Sequence, residues 1–165
     1  MHKVHFKLFS EIGINNFFDQ IKNQLQRDIE LLPNNSFIES KEEEIISEIY
    51  KKYIIGLPKI DIDKIQKEAY ENEIGSEDFP ISPRFDVMPG KKYLVQVAIY
   101  KIPFEGNGTV FRLKSTKSIL WTEECYFEGN NLICFEIPNF TRNADDVKND
   151  FKKKKDFLLK QYVNV

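Results

Sequence analysis

The chain has 165 residues, 41% of them apolar, with 24 basic residues set against 26 acidic ones for a net charge of −2. That length suits one domain, and the near balance of charge argues against a dedicated nucleic-acid binder, which usually carries a strong basic excess. Fourteen Phe, seven Tyr and one Trp supply a core, because each aromatic ring buries a large area.

Met1 to Phe6 lacks the apolar run of a signal peptide, and no stretch approaches the roughly 18 apolar residues of a membrane span. Two cysteines are too few for a disulfide scaffold, so a reducing cytoplasm is expected, with no membrane partner. On that expectation the N-x-S/T sequons at Asn34, Asn107 and Asn139 are chance matches. Lysine outnumbers arginine 20 to 4 in an Ile- and Asn-rich chain, which reads as the coding bias of an AT-rich bacterial genome.

Ile14, Phe17, Phe18, Ile21, Leu25, Ile29 and Leu32 recur at helical steps and predict a first amphipathic helix. Pro33-Asn34-Asn35 breaks it. Ser40-Lys41-Glu42-Glu43 has the form of a capping box and opens a second helix along Ile45, Ile46, Ile49, Tyr50 and Tyr53, ended by Gly56 and Pro58. The polar loop between them predicts an antiparallel pair.

From Lys59 the period changes toward strand along Ile60, Ile62 and Ile65. Residues 66–78 are acidic and poorly patterned, compatible with either a continued strand or a loop. Met88-Pro89-Gly90-Lys91 predicts a turn, followed by a central strand from Tyr93 that Pro103 should close. Glu105-Gly106-Asn107-Gly108 predicts another turn and Thr109–Leu113 a short strand. Ile119–Phe127 and Leu132–Ile137 then flank a hairpin. With Gly129-Asn130 as a two-residue loop, Cys125 would face Cys134; a longer loop would shift that register. A last helix, capped by Asn143, carries Val147, Phe151, Leu158 and Tyr162 on one stripe with Lys154 interrupting it.

The expected architecture is therefore α+β: two N-terminal amphipathic helices (about 12–55) on a mostly antiparallel sheet (about 59–139), then a C-terminal helix (about 144–165). Because its stripe runs to Val163-Asn164-Val165 without a stop signal, that helix is expected to be truncated and the chain to be one module of a longer protein.

Candidate chemistry is sparse. His2 and His5 lack ligand partners nearby in sequence and read as a solvated N-terminus; Cys125 and Cys134 read as small buried apolar residues. No metal and no cofactor is expected. Asp61, Asp63 and Lys64 echo the acid–lysine element of metal-dependent nucleases, whose chemistry needs carboxylates converging on divalent cations. The run Lys152–Lys155, with Lys148 and Lys160, would serve a nucleic-acid-binding alternative, less favoured than a solvated helix whose lysines pair with Asp150 and Asp156.

Pro83 to Gly90, Ile102-Pro103-Phe104-Glu105-Gly106, Phe111-Arg112-Leu113 and the lysine-rich helix resemble an uncharacterised domain of bacterial multidomain anti-phage defence proteins. The resemblance implies a companion of a downstream TIR or nuclease effector in the same chain, and it brings no catalytic residues. The favoured expectation is thus a non-catalytic sensing, oligomerising or scaffolding module. Its working surface would be Glu105 and Asn107 in their loop, Arg112 and Lys114, and Lys152, Lys153 and Lys155; its partners would be that effector or a second copy of the chain.

Overall fold

Fourteen residues, Lys92–Glu105, form the longest strand, and from Val95 to Phe104 both of its faces are apolar apart from Gln96 and Lys101. Such a strand is suited to the middle of a sheet covered on both sides. The structure, a computed structural model, describes residues 3–32, 42–82, 85–114 and 121–164. In chain order these form β1 (His5–Lys7), α1 (Ile14–Glu30), α2 (Glu42–Tyr53), β2 (Lys59–Ile60), β3 (Gln66–Gly75), β4 (Lys92–Glu105), β5 (Glu124–Glu128), β6 (Leu132–Pro138) and α3 (Ala144–Tyr162). The fold is α+β, as its sequence pattern predicts.

The sheet runs β1-β5-β6-β4-β2, with β3 sharing the β2 side of β4, and every strand pairing is antiparallel. Of residues 66–78, the first ten are strand, pairing along ten residues of β4, and Ser76–Asp78 form a 3-10 turn. Its pattern is illegible because it is an edge strand, largely solvent-exposed, whose charged Lys67, Glu68, Glu71 and Glu73 disfavour further pairing at the open edge.

Pro103 does not end β4. Its carbonyl accepts from Asp61 N–H at 2.9 Å, so its donor-less nitrogen faces the same side, where a 3-10 turn at Ile62–Lys64 interrupts the pairing between β2 and β3. The missing N–H falls where no ladder partner exists. The expected strand at Thr109–Leu113 is instead a 3-10 turn, Gly108–Arg112, started by the Asn107 side chain, which accepts from Thr109 N–H at 2.9 Å. Local capping by Asn won over the β-propensity of Val110 and Phe111.

His2 lies outside the described residues and His5 is exposed, but the chain enters the sheet at once: β1 pairs with β5, and Phe6, Leu8 and Phe9 are fully buried. α3 lies on one face of the sheet. Val147, Phe151 and Leu158 join Tyr100, Ile102, Phe104, Ile133, Phe135 and Ile137 in the main core, and the Tyr100 and Phe151 rings stack 3.8 Å apart. The α3 stripe is thus used within the domain, and Tyr162 Oη donates to the Pro58 carbonyl at 2.6 Å. Asn143 caps α3 as expected, accepting from Asp145 N–H at 3.0 Å.

α1 and α2 sit differently. α1 buries Phe17 and α2 buries no residue. They do not run as an antiparallel hairpin. Asp28, near the C-terminal end of α1, accepts from Lys52 and from Tyr53 Oη, at the C-terminal end of α2, so the two helices meet by like ends. The Pro33 break and the Ser40 cap fall outside the described residues.

Candidate functional site

The hairpin β5–β6 decides what the cysteines can do. Its register is Glu128↔Leu132, Phe127↔Ile133 and Tyr126↔Cys134, so its loop is Gly129-Asn130-Asn131, one residue longer than the expected Gly129-Asn130. That single residue moves every side chain to the other face. Cys125 and Cys134 are therefore not neighbours: Cys125 packs in the α3-side core and Cys134 against Ile99 and Tyr126 on the opposite face. Burial pushes the Cys134 thiol up to about 11 and Cys125 further in the same direction. Both are protonated at neutral pH and unsuited to nucleophilic or redox work.

Asp61, Asp63 and Lys64 lie on the 3-10 turn between β2 and β3. Asp61 accepts from Asp63 N–H at 3.2 Å and holds Lys64 Nζ at 2.8 Å, and the Lys64 hydrogen bond keeps its carboxyl below the ordinary range. Among the described residues no group of three or more His, Cys, Asp or Glu is placed to hold a metal. The converging carboxylates that a nuclease reading requires are not found there.

The lysine run of α3 fans around the helix as its period demands. Lys153 pairs with Asp150 at 3.0 Å, Lys154 is held by Glu123 from the segment before β5, Lys155 is half-buried and Lys152 is exposed. The shallow surface beside Lys152 and Lys153 also carries Asp146, Asp150 and Asp156, so it offers phosphate no concentrated positive field.

The loops after β4 and β5 do converge. An open groove of about 380 Å³ is lined by Gly106, Asn107, Gly108 and Arg112 on one side and Gly129 and Asn130 on the other. The Phe104 and Phe127 rings form its floor beneath Gly108. Gly106 adopts φ +111°, and a Cβ there would stand 3.2 Å from the Pro58 backbone; a Cβ on Gly108 would stand 3.1 Å from the Phe104 ring. Gly106 therefore requires glycine for its backbone, and a side chain at Gly108 would have to displace the Phe104 and Phe127 rings. Arg112 lies over the Phe6 ring at 4.6 Å and 3.8 Å from Glu11, which holds its guanidinium in place at the groove wall.

Of the expected surface residues, Asn107 and Arg112 meet in this groove. Glu105 sits beside it, opposite Lys59 across the β2–β4 pair, and the Lys114 backbone N–H is tied to the Ile12 carbonyl at 2.8 Å. Lys152, Lys153 and Lys155 belong to α3 and do not line it. Gly129 and Asn130 were missed as site residues because a turn signal in sequence does not say which other loop the turn will stand beside.

On the face away from α3, Lys101 is 5% exposed, the one charged side chain in the core among the described residues. Glu128 and Glu68 each hold it at 2.8 Å, and those two bonds, led by Glu128, raise its pKa. Beside it Lys3 is held by Glu136 and lies over the Tyr70 and Tyr126 rings.

Compared with protein-family models, curated proteins and solved structures, the chain matches none. No helix among the described residues is long and apolar enough to cross a membrane.

Proposed function

We propose that this chain is a non-catalytic interaction module of a bacterial anti-phage defence protein, acting beside an effector carried elsewhere in the same protein. The observation that supports the reading most is the groove between the Gly106–Arg112 loop and the Gly129–Asn130 turn. It sets backbone edges, asparagine amides and one fixed guanidinium over an aromatic floor, on loops held by a rigid sheet, which is how binding surfaces are commonly built. The candidate reactive groups elsewhere in the fold are already engaged: the thiols are buried and protonated, and the Asp61 carboxylate is held by Lys64.

The test is a phage challenge of bacteria expressing the complete reading frame. Asn130→Trp fills the groove from an exposed turn position and should abolish protection while leaving the circular dichroism spectrum unchanged. Undiminished protection by Asn130→Trp would remove the groove from the function. Metal-dependent cleavage of nucleic acid by the purified chain, lost in Asp61→Asn, would replace the reading with a nuclease one.

A further inference from the structure

α2 raises a question of stability. It is 12 residues long and none of its side chains is buried. Isolated helices of that length are marginal in water, and helices in proteins draw most of their stability from packing an apolar face. Ile45, Ile49 and Tyr53 are half-buried, but Ile46, Tyr50 and Ile54, one row over at i, i+4 and i+8, are 57%, 64% and 55% exposed. That row is a continuous apolar stripe presented to solvent.

The charges beside it say what covers it. Glu43, Ser47 and Lys51 form the adjacent row, again at i, i+4 and i+8, with an acid at the N-terminal end, a small neutral residue at the centre and a base at the C-terminal end. All three are exposed, and neither Glu43 nor Lys51 forms a salt bridge among the described residues. A row of this kind is complementary to itself when reversed. Two copies of α2 laid antiparallel about a two-fold axis at Ser47 would bring each Glu43 beside the other copy's Lys51, giving two equivalent pairs. The small Ser47 at the crossing would let the helices approach, setting Ile46 against the other copy's Ile46 with Tyr50 beside them, while Ile54 lies past the end of the other copy's helix. A two-fold interface uses the same patch on both subunits and requires this self-complementarity.

We infer that α2 is a self-association surface and that its occupant is a second copy of this chain, bound antiparallel through Ile46 and Tyr50 and fixed in register by Glu43 and Lys51. A 12-residue helix is about 18 Å long, so the contact falls short of the roughly 800 Å² per partner of a standard interface. The dimer is accordingly weak and concentration-dependent. It does not depend on the groove reading: Asn130→Trp leaves it intact.

Sedimentation velocity over about a hundredfold range of concentration tests it. Wild type should pass from monomer to dimer. Tyr50→Glu, at an exposed position that leaves the fold unchanged by circular dichroism, should weaken association by at least about tenfold. Glu43→Lys or Lys51→Glu alone should weaken it about three- to tenfold, because rim pairs contribute modestly and each reversal affects two of them. Glu43→Lys combined with Lys51→Glu should restore it. A monomer at every concentration would overturn the inference and leave the stripe to a different partner. So would a dimer indifferent to Tyr50→Glu, or a double reversal no tighter than the single ones.

Discussion

Tyr126 stands opposite Cys134 across the β5–β6 hairpin, and this pairing sends the two cysteines to opposite faces of the sheet. The chain should therefore form no internal disulfide, and air oxidation should leave its mass that of the dithiol. At pH 8 a thiol at about 11 is about one-thousandth thiolate, against about a quarter for an ordinary thiol. Native-state alkylation, followed by mass spectrometry, should run at least about a hundredfold slower than alkylation of the urea-unfolded chain. Rapid labelling of either cysteine in the folded protein would contradict the register.

Lys101 contributes packing as well as charge. Lys101→Ala removes buried methylenes and should cost about 2 kcal/mol in urea unfolding, at about 0.8 kcal/mol per methylene. Lys101→Met keeps the length, and Glu68 and Glu128, about half exposed, can take up water, so stability should stay within about 1 kcal/mol of wild type. Lys101→Glu places a third carboxylate between those two and should prevent folding. The Lys101 pKa is raised in the fold, so its charge contribution is complete below the unfolded value of about 10.4 and is lost as pH climbs through the folded one. Wild type should therefore lose stability relative to Lys101→Met above about pH 10.4.

Asp28 is the clasp between α1 and α2. Hydrogen bonds from Lys52, then Tyr53, lower its carboxyl to about 2, below the unfolded value of about 3.9. The contribution is present above about pH 3.9 and disappears as pH falls toward 2. Tyr53 ring resonances should shift across that window in wild type and stay flat in Asp28→Asn. At neutral pH, Asp28→Asn should speed amide exchange through residues 42–53 while leaving β4 and β6 unchanged.

The groove walls depend on glycine in two different ways. Gly106→Ala meets both positive φ and the Pro58 backbone, and should cost about 1–3 kcal/mol in thermal unfolding. Gly108→Ala must displace the Phe104 and Phe127 rings and should also destabilise. Gly129, at φ +61° with only the Asn131 side chain 3.7 Å from a Cβ, should accept asparagine nearly without cost, since asparagine tolerates the left-handed region. A large loss in Gly129→Asn would mean that the turn is tighter than described.

Several features were legible from local chemistry alone. The α1 stripe, the Asn143 cap, the turn with Gly90 at φ +75° and the α+β order all follow from nearest-neighbour periodicity, capping and backbone sterics. Those forces act within one turn of the chain, so a reader of the sequence sees all their terms. Apart from the Asn107-capped turn at Gly108–Arg112, what failed depended on partners far away. Pro103 could stay in β4 because the strand beside it breaks there, and β3 looked patternless because it lies at an edge. One extra loop residue reversed both cysteine faces.

The candidate groove belongs to the second kind. Asn107 and Arg112 were readable as exposed loop chemistry, but Gly129 and Asn130 join them only because β4, β5 and β6 share one sheet. By itself the sequence determined the three helices, the Gly90 turn and the apolar central strand, since those choices are settled by residues within a few positions of one another. Tertiary structure alone decided which loops meet, which helix covers the sheet and which apolar stripe remains open. Those outcomes come from packing between residues remote in sequence, where a shift of one position exchanges core for solvent.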